Sequence, residues 1–83
     1  DPQQAVISPN ETSCAMCGLG AIIYFLRTPF EEYEYNKKTH QWVEWGRFAD
    51  DKIWIDRIKY LSEHIVEVIT EDGEINELDI GKY

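Results

Sequence analysis

The stretch Asp50-Asp51-Lys52-Ile53-Trp54-Ile55-Asp56-Arg57-Ile58-Lys59-Tyr60-Leu61-Ser62-Glu63 decides how this chain is read. Trp54, Ile58, Leu61 and, just beyond it, Ile65 recur at helical spacing, one apolar stripe along an amphipathic helix. Asp56, Arg57, Lys59 and Glu63 fall largely off that stripe. Asp50 and Asp51 sit where the positive end of a helix dipole favours carboxylates. The spacing predicts a helix over 50–63.

Downstream, Ile65 to Ile80 predicts a hairpin turning at Glu71-Asp72-Gly73. A two-residue Asp72-Gly73 turn would scatter carboxylates over both faces. A three-residue turn with Gly73 as a bulge instead pairs Val66 with Leu78 and Val68 with Asn76, gathering Val66, Val68, Leu78 and Ile80 on one face. That register also sets Glu67 opposite Glu77, a like-charge pair that weakens the hairpin unless a cation lies nearby.

Upstream, Glu31–Asn36 alternates Tyr33 and Tyr35 with Glu32 and Glu34, and Gln41–Trp45 returns after a turn at Lys37–His40. The two arms predict a second hairpin, with His40 at a positive-φ position of the loop. Val43 and Trp45 share the parity of Tyr33 and Tyr35, which leaves Trp42 on the opposite and more exposed face. Ala21–Leu26 predicts a buried strand that closes at Thr28-Pro29. Ser8-Pro9-Asn10-Glu11 has the form of a helix start with a capping box, and that helix would end at Cys17, before Gly18-Leu19-Gly20. Residues 1–7 are expected to be a loosely held N-terminus. The fold expectation is one α+β domain spanning 1–83, an antiparallel sheet of about five strands with one main helix on one face. An SH3-like β-barrel is the alternative.

With 83 residues, 43% of them hydrophobic and 13% aromatic, the chain is too rich in large side chains for a disordered acidic tail. A net charge of −8 repels phosphate, so direct nucleic-acid binding is not expected. No segment reaches the roughly 18 apolar residues that predict a membrane span. Two cysteines are too few for a disulfide framework, which makes a cytoplasmic location the expectation over a secreted one, although Asn10-Glu11-Thr12 matches a glycosylation acceptor. Because the first residue is Asp1, a processed product or a piece of a longer chain is expected.

The acidity is concentrated. Residues 64–83 carry −5 of the net −8, from Glu67, Glu71, Asp72, Glu74, Glu77 and Asp79 against Lys82. Such a one-signed hairpin can steer association with a positively charged partner. The functional expectation is a small acidic protein-interaction module, of the inhibitor, immunity or viral or phage effector type. It would bind a basic protein surface through Glu67, Glu71, Asp72, Glu74 and Glu77, with Trp42 as an apolar anchor.

Cys14-Ala15-Met16-Cys17-Gly18 is the one segment with an alternative chemistry. Its two thiols could be small buried side chains on one helical face. They could form half of a structural zinc site completed by His40 and His64. A thiol activated for redox or hydrolytic work would need a cation or a helix N-terminus beside it. Over five residues, Ser13 to Cys17 resembles the nucleophile segment of papain-like cysteine proteases, but Gly18 stands where that family carries Trp. The chain is also shorter than half the length those folds need. No phosphate loop, nucleophile elbow or His-Glu-x-x-His occurs, so a non-enzyme without a cofactor is the expectation, with zinc the alternative.

Overall fold

The structure, a computed structural model, describes residues 4–34, 39–46 and 53–83. Among them are seven strands and no helix: β1 (Gln4–Ile7), β2 (Ser13–Gly18), β3 (Gly20–Phe25), β4 (Trp42–Trp45), β5 (Ile55–Tyr60), β6 (Ile65–Thr70) and β7 (Ile75–Asp79). They form two antiparallel sheets, β1-β2-β3-β4 and β5-β6-β7, which meet where β5 packs on β1 and β2. The α+β expectation is therefore corrected to an all-β architecture. Nothing in the strand pairing confirms the SH3-like alternative.

The expected helix over 50–63 is strand β5 over Ile55–Tyr60, while Asp50 and Asp51 lie outside the described residues. The physical reason is a β-bulge. Ile55 pairs with Thr70, but the next pair is Arg57 with Ile69, so one extra residue is inserted at Asp56. The insertion shifts the in-out parity by one and leaves Ile55 and Ile58 both buried, three positions apart. A bulged strand thus imitates helical spacing over one turn. The β-branched Ile53, Ile55 and Ile58 favour the pleated surface, and Trp54, assigned to the buried stripe, is 52% exposed.

A second helix, expected from Ser8 to Cys17, is also absent. The expected cap does not form: Ser8 Oγ closes a loop instead, its partners lying four and five residues on rather than at the second or third helical position that an N-cap serves. Ser8 Oγ accepts the backbone N–H groups of Thr12 and Ser13, both at 3.0 Å, and Asn10 Oδ1 accepts the Thr12 hydroxyl at 2.6 Å. Glu11 then takes a φ of +61, outside the helical region, and the chain turns back as β2. In β2, Ser13, Ala15 and Cys17 are buried while Cys14 and Met16 are half-buried, the period-two pattern of a strand. The expected break at Gly18-Leu19-Gly20 is a tight turn, with Gly20 at a φ of +70. Gln4–Ile7, read as part of a loose N-terminus, forms β1 along β2.

The inner rows of the first sheet run Val6-Ala15-Ile23-Val43 and Gln4-Cys17-Ala21-Trp45. Ala15, Cys17, Ile23 and Phe25 meet Ile55, Ile58, Val66, Val68 and Ile80 of the second sheet in one core. Gln4 joins the sheets directly, its Oε1 accepting the Ile58 backbone N–H at 2.9 Å.

In the middle segment, Trp42–Trp45 is a strand as expected, but Glu31–Glu34 lies outside any strand and packs on the sheet instead. Tyr35 and the turn residues Lys37 and Lys38 lie outside the described residues. His40 does not take positive φ; among the described residues Glu11 alone does so without being glycine.

The bulged strand predicts an asymmetry that a helix would not produce. Ile58→Ala should cost about 2–5 kcal/mol in chemical denaturation, whereas Trp54→Ala should cost about 1 kcal/mol or less. Comparable losses at both sites would restore the helical stripe.

Candidate interaction site

The β6–β7 hairpin has the register that its hydrophobic parity selects. Val66 pairs with Leu78, Glu67 with Glu77 and Val68 with Asn76. Val66, Val68 and Ile80 are buried and Leu78 half-buried on the inner face. At the turn, Gly73 N–H bonds to Thr70 carbonyl at 3.0 Å and Thr70 N–H to Glu74 carbonyl at 2.9 Å. Gly73 adopts a φ of +90, which explains why a residue without Cβ stands there.

Asp72 does more than carry charge. Its Oδ1 accepts the Thr70 hydroxyl and, at 3.5 Å, the Glu74 backbone N–H. The Thr70 hydrogen bond, reinforced by the Glu74 N–H, holds the carboxyl below its ordinary value. Glu71, Glu74 and Glu77 are exposed alongside it.

Glu67 belongs to a different environment from the other carboxylates. It lies half-buried in the middle of the sheet, opposite Lys59 on one side and Glu77 on the other. Lys59 Nζ stands 3.7 Å from Glu67 Oε1. The like-charge pair therefore has its cation, from a strand that the sequence presented as a helix. Among the described residues Glu71, Asp72, Glu74 and Glu77 have no ion pair, so the negative field is concentrated on the tip and on β7.

Trp42 is not the exposed anchor expected. It is 4% exposed, stacked on Tyr24 at 5.9 Å between centroids and covered by Tyr33 at 5.3 Å. Its parity is as expected, facing away from the core, but the Glu31–Glu34 segment covers that face. The Glu31 N–H reaches Gln41 Oε1 at 2.8 Å, and the Tyr33 hydroxyl reaches Glu44 at 3.1 Å. Among the described residues the buried Trp42 Nε1 has no hydrogen-bond partner. The exposed indole beside the acidic tip is Trp54, whose carbonyl accepts the Glu71 N–H at 3.0 Å. Ile75 on β7 is 62% exposed. Trp54 escaped the sequence reading because its spacing placed it in the core stripe.

The two thiols separate. Residues three apart on a strand point to opposite faces, so Cys17 is buried on the inner face and Cys14 half-buried on the outer one. Burial pushes both thiols above their ordinary value; for Cys17 the Asp56 charge adds to this and a Gln4 backbone hydrogen bond opposes it. That is the reverse of activation. His40 is exposed beside β4, and exposed His64 lies between β5 and β6. Among the described residues no group of three or more His, Cys, Asp or Glu is placed to hold a metal ion, so the fold does not assemble Cys14, Cys17, His40 and His64 into a site. The structure thus gathers the carboxylates of the hairpin and disperses the zinc and thiol candidates.

Compared with known protein families, characterised proteins and solved structures, the chain matches none.

Because the Asp72 carboxyl is depressed in the folded state, its ionised form stabilises the turn above the ordinary aspartate value of about 4. That contribution disappears as the pH falls through the lower folded value. In an NMR titration Asp72 should protonate below the ordinary aspartate value, and Thr70→Ala should move it back; an unshifted Asp72 would refute the hydrogen bond from Thr70. Iodoacetamide at neutral pH should label both thiols of the folded protein more slowly than free cysteine, and urea should abolish the difference. Fast labelling of either would establish an activated thiol.

Proposed function

We propose that this chain is a protein-interaction module whose acidic β6–β7 hairpin engages a basic surface on a partner protein. The observation that carries the reading is the state of the carboxylates: Glu71, Asp72, Glu74 and Glu77 are exposed, on one hairpin and without an ion pair among the described residues. Unneutralised charges on a rigid scaffold raise the encounter rate with a cationic partner and suppress wrong partners of like charge. Glu67 takes no direct part, since Lys59 engages it, and serves to hold β5 to β6. Trp54 replaces Trp42 as the aromatic contact, because an indole at the border of a charged patch buries area at little entropic cost.

The test separates place from amount of charge. Glu71→Lys, Glu74→Lys and Glu77→Lys in one variant, and Glu11→Lys, Glu32→Lys and Glu34→Lys in another, change the net charge equally. Proteins captured from a source lysate by the unaltered chain at about 50 mM salt should be released at about 300 mM, where screening is stronger. The hairpin variant should associate with them about tenfold more slowly, the control variant nearly normally. Retained binding by the hairpin variant, or equal loss from the control, would overturn the reading.

A further inference from the structure

Among the described residues β7 is the outer strand of its sheet, paired with β6 alone. The hydrogen-bonding phase of that pair follows from its two ends. Thr70 N–H bonds to Glu74 carbonyl at the turn, and Ile80 N–H bonds to His64 carbonyl at the other end. In an antiparallel ladder bonded and non-bonded pairs alternate. Glu74, Asn76, Leu78 and Ile80 therefore turn their backbone groups toward β6. Ile75, Glu77 and Asp79 turn theirs outward, and no hydrogen bond among the described residues uses them. Exposed donors and acceptors in such a row are a template for another strand.

Beside this edge lies a cleft of about 250 Å3 in which the apolar Leu78, Ile80, Ile23, Val43 and Trp45 form one part of the lining, with Glu77 and Asp79 at its β7 border and Glu44 on the first sheet. Lys82 and Tyr83 stand at the same cleft. A strand added to β7 would send alternate side chains into the cleft, beside Leu78, and the others onto the outer face, beside Glu77 and Asp79.

We infer that β7 takes up an extended segment of a partner protein, antiparallel, in which basic residues alternate with aliphatic ones. The basic side chains meet Glu77 and Asp79, and the aliphatic ones enter the cleft. Charge decides against a second copy of this chain as the occupant. Symmetric pairing of two β7 strands about their midpoints places Glu77 against Glu77, between molecules of net charge −8 each. The inference rests on the anionic docking reading above and adds to it the mode of contact.

The probe is the peptide Lys-Val-Lys-Val-Lys-Val-Lys, capped at both ends, with two relatives N-methylated at every lysine or at every valine. Lysines opposite Glu77 and Asp79 donate their backbone N–H groups to β7, whereas the valine N–H groups point away from it. The parent peptide should bind the intact chain at low salt and protect the amides of Ile75, Glu77 and Asp79 from hydrogen exchange. N-methylation at lysine should weaken binding by about tenfold or more, and N-methylation at valine should leave it within about twofold. Equal binding of all three peptides would overturn strand addition and leave anionic docking standing. Equal loss from both methylated peptides, or no binding of the parent, would also overturn strand addition, while anionic docking answers separately to the charge-reversal experiment. Protection of the same amides in the concentrated protein alone would assign the edge to a second copy.

Discussion

Everything in this molecule depends on two sheets coming close enough to share one apolar layer. Where β5 crosses β1 and β2, the first sheet presents Ala15 and Cys17, small side chains that let the backbones approach, and the second presents Ile55 and Ile58. Tight interdigitation at such a contact is what makes a single packed arrangement preferable to many loose ones. Once that layer is dry, the parity of every strand touching it is fixed. A slip of one residue in β6 would turn Val66 and Val68 to water and bring Glu67 inside, next to Ile58. The acidic face of the hairpin is therefore a consequence of the core.

Polar side chains complete what the ladders leave open. Gln4 carries a hydrogen bond from one sheet to the other, close to the bulge where β5 loses its regular pairing. Gln41, buried, donates to the carbonyls of Phe25 and Arg27 while accepting from Glu31, which draws the Glu31–Glu34 segment over Trp42. Ser13 and Tyr60 share a hydrogen bond of 2.7 Å between β2 and β5. Each of these bonds satisfies a group that an apolar residue would have left unpaired in a dry place.

How far the sequence spoke depended on whether local and tertiary signals agreed. In the β6–β7 hairpin, the turn residues, the parity of valine and leucine and the placement of glycine all favour one register, and that register forms. In β5 the signals conflict, because a single inserted residue makes a strand carry the spacing of a helix. Ahead of β2, the cap-like sequence Ser8-Pro9-Asn10-Glu11 advertised a helix that the period-two burial of Ser13, Ala15 and Cys17 overrides. Trp42 shows a third kind of failure: its orientation was legible, but its cover comes from a segment without regular structure. The candidate site inherits these differences. Its carboxylates could be named from the sequence, whereas the role of Lys59 and the exposure of Trp54 could not, since both reside in the segment mistaken for a helix.

Across the second sheet the charge changes from strand to strand: Lys59 on β5, with Arg57 beside Asp56 at 3.9 Å, then Glu67 in the middle, then Glu77 and Asp79 on β7. That sheet thus carries a transverse electric moment within a single layer of backbone. Under the proposed function, the field of a cationic partner would exert a torque on this sheet as well as a pull, turning the β7 border toward it. Orientation would then be set during the approach, before any contact is made.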